Sequence, residues 1–243
     1  MEPLAPPTAG FTVRQYQPAD RDAVRELCCT TGFLGNPVDP VFEDRDLFAS
    51  FLTDYYLERE PDSAFVVTVE DAIKGYLLGC RFPRRHRWFA IHQSVSLAVK
   101  AFWRYPGYRP ESKRYIHWIL FNAWREVPDA PRDVGHFHIN FLPEIRRIAV
   151  FRAVMETYFR FLRKEGVDRI SAQMVTFDDR RTLPLFVRYG FKVLNRSRVT
   201  KFERYTDQSV YLCTLIKDLV EKDGWVLHQV QPRMNGKTDG NHG

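Results

Sequence analysis

Residues 134–191 read VGHFHINFLPEIRRIAVFRAVMETYFRFLRKEGVDRISAQMVTFDDRRTLPLFVRYGF. Gly135 to Leu142 alternates with a period of two: His136, His138 and Asn140 on one side, Phe137, Ile139 and Phe141 on the other. That is a strand with one apolar face. Pro143 has no N–H to donate and stops the ladder. From Arg146 the period changes. Ile148, Phe151, Met155, Phe159 and Leu162 recur at three and four, which predicts an amphipathic helix closed by Lys164, Glu165 and the stop at Gly166. Ile170 to Val175 then predicts a second apolar strand. Strand, helix, strand in this order is a right-handed crossover between parallel strands, and the N–H groups and positive dipole end of its helix form an anion site.

This stretch resembles the core of the GCN5-related N-acetyltransferase (GNAT) superfamily. The turn after the first strand takes the place of the pattern Gln/Arg-x-x-Gly-x-Gly/Ala, with Arg146 at its first position and Ala149 and Phe151 at the two small ones. Residues 179–191 resemble the second signature, Asn-x-x-Ala-x-x-Phe-Tyr-x-x-x-Gly-Phe, and Gly190-Phe191 matches its end. Phe186 stands where that signature has tyrosine and Asp179 where it has asparagine. The resemblance covers roughly residues 11–82 and 134 onward. It implies a mixed, mostly antiparallel α/β sheet with one parallel crossover and helices on both faces. It also implies acetyl-CoA as co-substrate, held by Asn140, Phe141 and Leu142 on the strand and by Arg146, Arg147, Ile148, Ala149, Val150 and Phe151 at the turn. The implied reaction is direct acetyl transfer to a primary amine. The alternative is a degenerate GNAT-like module that binds CoA or a protein partner.

The chemistry asks for a base, an oxyanion donor and an acid for the leaving thiolate. His138, two residues before Asn140, is the candidate base because imidazole titrates near neutrality; His136 shares its face and is a candidate relay. Backbone N–H groups of Asn140 to Leu142 are the candidate oxyanion donors. Tyr189 is the candidate acid, with a core tyrosine as the alternative. On the acceptor side, Asp39, Glu43 and Asp44 follow a turn-rich loop and suit an ammonium group, with a solvated face as the alternative; Tyr55, on the helix after it, is the further candidate in the pocket wall that the resemblance implies.

The remaining segments are assigned by pattern. Residues 1–10 read as a loose leader, 11–228 as one domain and 229–243 as a flexible tail. Phe11 to Gln17 predicts a strand, with Asp20 as N-cap of a first helix; a second helix starts near Asp46 with Leu47, Phe51 and Tyr55 on one face. Ser63 to Val69 and Ile73 to Phe82 predict a hairpin around Glu70-Asp71. Asp178-Asp179 is read as a helix cap, Arg180 and Arg181 as CoA contacts or solvated charges, and Thr182 as a cap for the following helix. An insertion at about 83–132 places Trp88, Ile91, Val95, Ala98 and Phe102 at helical spacing, then Tyr115, Ile119 or Leu120, and Ala123. Two readings stay open there: helices covering the core, or a lid or homodimer surface, suggested by four of the five tryptophans lying in it.

Composition bounds the class. The chain has 243 residues, 44% hydrophobic and 14% aromatic, ample for a packed core. Its net charge of +6 suits CoA as well as nucleic acid, but Arg84-Arg85-His86-Arg87 is short and no nucleic-acid motif accompanies it, so nucleic acid is not the expected partner. Cys28, Cys29, Cys80 and Cys213 show neither disulfide nor metal-ligand spacing, so no metal is expected. With no signal peptide or apolar span in view, the expected compartment is the cytoplasm and no membrane partner is expected.

Overall fold

The computed structural model describes residues 10–177 and 182–220. The readings of the leader, the tail, residues 178–181 and the Thr182 side chain fall outside what is described. Among the described residues a single seven-stranded sheet is formed by β1 (Phe11–Gln15), β2 (Ala64–Val69), β3 (Ala72–Cys80), β4 (Gly135–Phe141), β5 (Arg169–Phe177), β6 (Lys192–Arg198) and β7 (Val210–Asp218). Its order is β1-β2-β3-β4-β5-β7-β6, and β4 with β5 is the parallel pair. The mixed α/β sheet read from the sequence is therefore present, with the parallel crossover at its centre.

The crossover helix, α6 (Ile148–Lys164), follows its expected stripe. Val150, Phe151, Val154, Met155, Tyr158, Phe159 and Leu162 are buried, each contributing roughly 1.5–3 kcal/mol before the cost of ordering. Ile148, expected on this stripe, is exposed, because it opens the helix beyond the sheet edge. Gly166, at φ +70°, closes the helix in the left-handed region while the Val167 N–H donates to Leu162 O at 2.9 Å. The other face of the sheet carries α1 (Arg21–Thr31) and α2 (Arg45–Arg59). Glu70 and Asp71, at φ 49° and 60°, make the two-residue turn between β2 and β3.

Several local expectations are corrected. Asp20 stands at the N-cap position of α1 but makes no cap bond there; its carboxylate accepts the Gln17 N–H and pairs with Arg14 at 2.7 Å. Phe51 on α2 is exposed, and the buried side of that helix instead carries Leu47, Phe48, Tyr55 and Tyr56. The insertion forms α3 (Pro83–Arg104), α4 (Pro110–Phe121) and a last short turn, α5 (Ala123–Glu126). On α4 the expected Tyr115 packs against the core, but the α3 stripe points the wrong way for a core cover: Trp88, Ile91, Val95 and Phe102 are all exposed. Phe89, Leu97 and Ala101 face the body instead.

Acidic side chains fasten the insertion. Buried Glu60 accepts the N–H groups of Arg81 and Phe82 at 3.0 and 3.1 Å, where α3 begins. Asp44, which caps α2 through the Leu47 N–H, also accepts Arg104 at 2.9 Å and the Tyr108 hydroxyl. Glu43 pairs with Arg109.

Between sheet and α6, Tyr158 is fully buried and its hydroxyl meets no hydrogen-bond partner among the described residues. A desolvated, unpaired hydroxyl costs about 1–3 kcal/mol. Tyr158→Phe is therefore expected to unfold at equal or higher urea concentration than the parent. Gly79→Ala is expected to lower the midpoint, because its Cβ would lie 2.7 Å from the Tyr158 ring.

Candidate functional site

The site is built around a fork in the sheet. β4 and β5 pair only through Gly135, His136 and Phe137 against Ile170, Ser171 and Ala172. Beyond Phe137 they part, β4 staying with β3 to Phe141 and β5 with β7 to Phe177. The Ser171 hydroxyl donates to Gly135 O at 3.0 Å and clasps the closed end.

Alternation decides what faces the fork. Leu142 N donates to Lys74 O at 2.9 Å, so in this antiparallel ladder Leu142, Asn140 and His138 turn their N–H groups toward β3. Ile139 and Phe141 then turn theirs into the gap left by β5. Of the Asn140 to Leu142 stretch expected to donate to an oxyanion, only Phe141 therefore has its N–H in position, and Ile139 joins it. The Asn140 side chain is engaged on the α1/α2 face, donating to Tyr76 Oη at 2.7 Å.

At the open end of the fork stands the N-terminus of α6. Arg147 occupies the cap position and makes no side-chain cap bond, which leaves the N–H groups of Ile148, Ala149 and Val150 directed out of the helix end. Ile148, Ala149 and Arg147 are exposed. Two residues expected to hold the phosphates are placed otherwise. Arg146 donates from Nε to Phe141 O at 2.9 Å and from a terminal nitrogen to Gly35 O at 2.6 Å, tying the loop after α1 to the end of β4. Phe151 donates its N–H to Arg147 O and lays its ring in the core against Phe186 and Tyr189, at centroid distances of 5.1 and 5.2 Å. The large residue at a small-residue position thus turns inward, away from the helix mouth. Phe186, at the family tyrosine position, is buried. Tyr189 is half-buried on Phe151.

Next to the fork, on the α1/α2 face, lies a cluster of imidazoles. His136 Nε2 is 2.8 Å from the hydroxyl of buried Tyr56. His86, on α3, packs 4.7 Å from His136, and Tyr56 sits edge-on to His138 at 5.4 Å. Burial, together with the neighbouring rings, holds His136 well below the ordinary histidine value. Burial beside His86 pushes His138 down to about 4, and burial lowers His86 as well. All three rings are neutral at physiological pH, each a proton acceptor of low basicity. Among the described residues no group of His, Cys, Asp and Glu has the geometry to hold a metal ion.

The expected acceptor residues are not gathered at one site. Asp39 pairs with Arg45 at 2.9 Å and Glu43 with Arg109. Tyr55 is buried, its ring 4.6 Å from His86 and its hydroxyl donating to Phe82 O at 3.4 Å. A cavity of about 160 Å³ instead opens between the loop after α1, α4 and the turn following β6, its lining including Glu111, Arg114, Trp118, Thr200, Lys201 and Arg204. Burial pushes Lys201 down to about 8, against the opposing pull of Glu126, and its ammonium lies 4.7 Å over the Trp118 ring. His86 and Tyr56 were not singled out in the sequence. His86 sat within a basic run, and Tyr56 is one residue, 100° of helix, from the tyrosine chosen.

The histidine cluster predicts an acid limb in stability. His138 takes up its proton near 6.5 when unfolded and near 4 when folded, so the unfolded chain binds more protons in between. Stability is fully present above about pH 6.5 and is lost as pH falls toward 4. Urea midpoints measured across this range should fall for the parent and fall less for His136→Gln/His138→Gln.

No protein-family model matches the sequence. Among solved structures the chain is similar to SsHAT, at 26% identity and a TM-score of 0.60, over 87% of this chain and 99% of that one. It is similar to yncA from Salmonella typhimurium, solved with its cofactor acetyl-CoA, at 13% identity and a TM-score of 0.50, over 89% and 98% of the two chains. An N-acetyltransferase from Staphylococcus aureus Mu50 matches at 10% identity and a TM-score of 0.50, over 87% and 99%.

Proposed function

We propose that this chain, whose fold is that of the GCN5-related N-acetyltransferases, moves an acetyl group from acetyl-CoA to a primary amine. The observation that carries this reading is the fork between β4 and β5 together with the uncapped N-terminus of α6, the helix that follows β4 in the chain. An extended amide-bearing arm can pair with the free edge of β4 at Ile139 and Phe141, while a pyrophosphate meets the N–H groups of Ile148, Ala149 and Val150. Arg147 adds a charge-assisted contact. The residues present therefore fit the cofactor, and Phe151 does not obstruct it.

When bound, acetyl-CoA supplies the activated thioester. In the transfer the amine nitrogen bonds to the acyl carbon, the carbon–sulfur bond breaks, and the proton lost by the amine balances the one gained by the thiolate. The Phe141 or Ile139 N–H would donate to the oxyanion. Neutral His138 would accept the amine proton and pass it on promptly, because its imidazolium is disfavoured. The cavity beside Lys201, Arg204 and the Arg114–Glu111 pair would receive the acceptor.

A second reading is a CoA-binding module without turnover. Buried Phe186 cannot protonate a thiolate, and a base held near 4 is poorly matched to neutral pH.

Titration calorimetry with acetyl-CoA and desulfo-CoA tests the cofactor site. Binding is expected, and Arg147→Ala should weaken it by about tenfold; no heat from folded protein would overturn the proposal. With an amine panel, His138→Ala should lower kcat while leaving acetyl-CoA affinity unchanged. Binding without turnover on any amine favours the second reading.

A further inference from the structure

On a helical projection at 100° per residue, Trp88, Ile91, Val95, Val99 and Phe102 of α3 fall within an arc of about 80°. Each is at least half exposed, with Trp88 at 66% and Phe102 at 73%. Trp103, at 77%, borders the arc. The opposite side, His86, Phe89, Gln93, Leu97 and Ala101, meets the body of the protein. The outward face of a 22-residue helix, about 33 Å long, is thus an apolar, aromatic band.

Charge identifies the occupant. α3 carries Arg84, Arg85, Arg87, Lys100 and Arg104 and no Asp or Glu. Arg104 is engaged by Asp44, and Arg84 by Asp133 in an exposed pair. Arg85 and Arg87 are exposed and flank the band on opposite sides at its N-terminal end. If α3 packed in parallel on α3 of a second copy, Arg85 and Arg87 would face their own copies with no carboxylate of the helix between them. A bilayer with anionic headgroups satisfies both features: the band enters the acyl boundary and the flanking cations meet phosphates. Tryptophan, apolar with one N–H donor, is suited to that boundary.

We propose that the outward face of α3 docks this protein onto the surface of an anionic phospholipid bilayer. The helix lies in the interface and does not cross it; among the described residues no helix is long and apolar enough to span a membrane.

Co-sedimentation of the full chain with vesicles of phosphatidylcholine alone, or with about 30% phosphatidylglycerol, tests this. Binding is expected to the mixed vesicles, to weaken with salt and to be slight on the neutral ones. Trp88→Ala/Trp103→Ala and Arg85→Glu/Arg87→Glu should each reduce binding about tenfold or more with unchanged circular dichroism. In the parent, brominated acyl chains should quench tryptophan fluorescence, a readout that needs no variant. Absence of binding to mixed vesicles, or binding that both variants retain, overturns the proposal. So does a concentration-dependent dimer in sedimentation velocity that the tryptophan variant disperses while vesicles are ignored; that result gives the band to a second copy.

Discussion

The parting of β4 from β5 after three residue pairs is the constraint on which the site depends. Backbone N–H and C=O groups at such an edge want partners, and the structure supplies some of them. Ser171 closes the apex. Arg146 takes the Phe141 carbonyl at the mouth and draws the loop after α1 against it through Gly35. What remains on that edge, among the described residues, is the N–H groups of Ile139 and Phe141 and the carbonyl of Ile139, on the strand that leads into an uncapped helix end. A short stretch of unpaired backbone therefore makes the binding surface, and the side chains around it hold it open.

The two faces of β4 divide the labour. Phe137 and the α6 side form an aromatic core in which Phe151, Phe159, Phe186 and Phe191 interlock, fixing where the helix begins. The other face carries His136, His138 and Asn140 against tyrosines of α2 and β3. His136 is paired with Tyr56 and Asn140 with Tyr76, but three imidazoles in one desolvated region resist protonation together. The low basicity of His138 is thus a property of its neighbours, one of which, His86, comes from the insertion.

That insertion links the site to the surface. Glu60, Asp44 and Glu43 fix α3 and the loop after it to the body. Carboxylates in this region act as anchors, which explains why Glu43, read as an ammonium binder, is unavailable for that role.

The sequence by itself determined the element types, the crossover and the apolar side of α6, because the change of period from two to 3.6 residues is a local signal and Pro143 and Gly166 punctuate it. It also placed His136, His138 and Asn140 on one face, since strand alternation needs no tertiary information. Only the tertiary structure decided which β4 N–H groups face the gap, because that follows from pairing with Lys74 across the sheet. It alone engaged Arg146 with Gly35 and brought His86 to His136 across 50 residues of sequence. It also decided which side of α3 meets solvent. Both sides of that helix carry apolar residues, Phe89, Leu97 and Ala101 opposite Trp88, Val95 and Phe102, and periodicity reports a stripe without saying what lies against it.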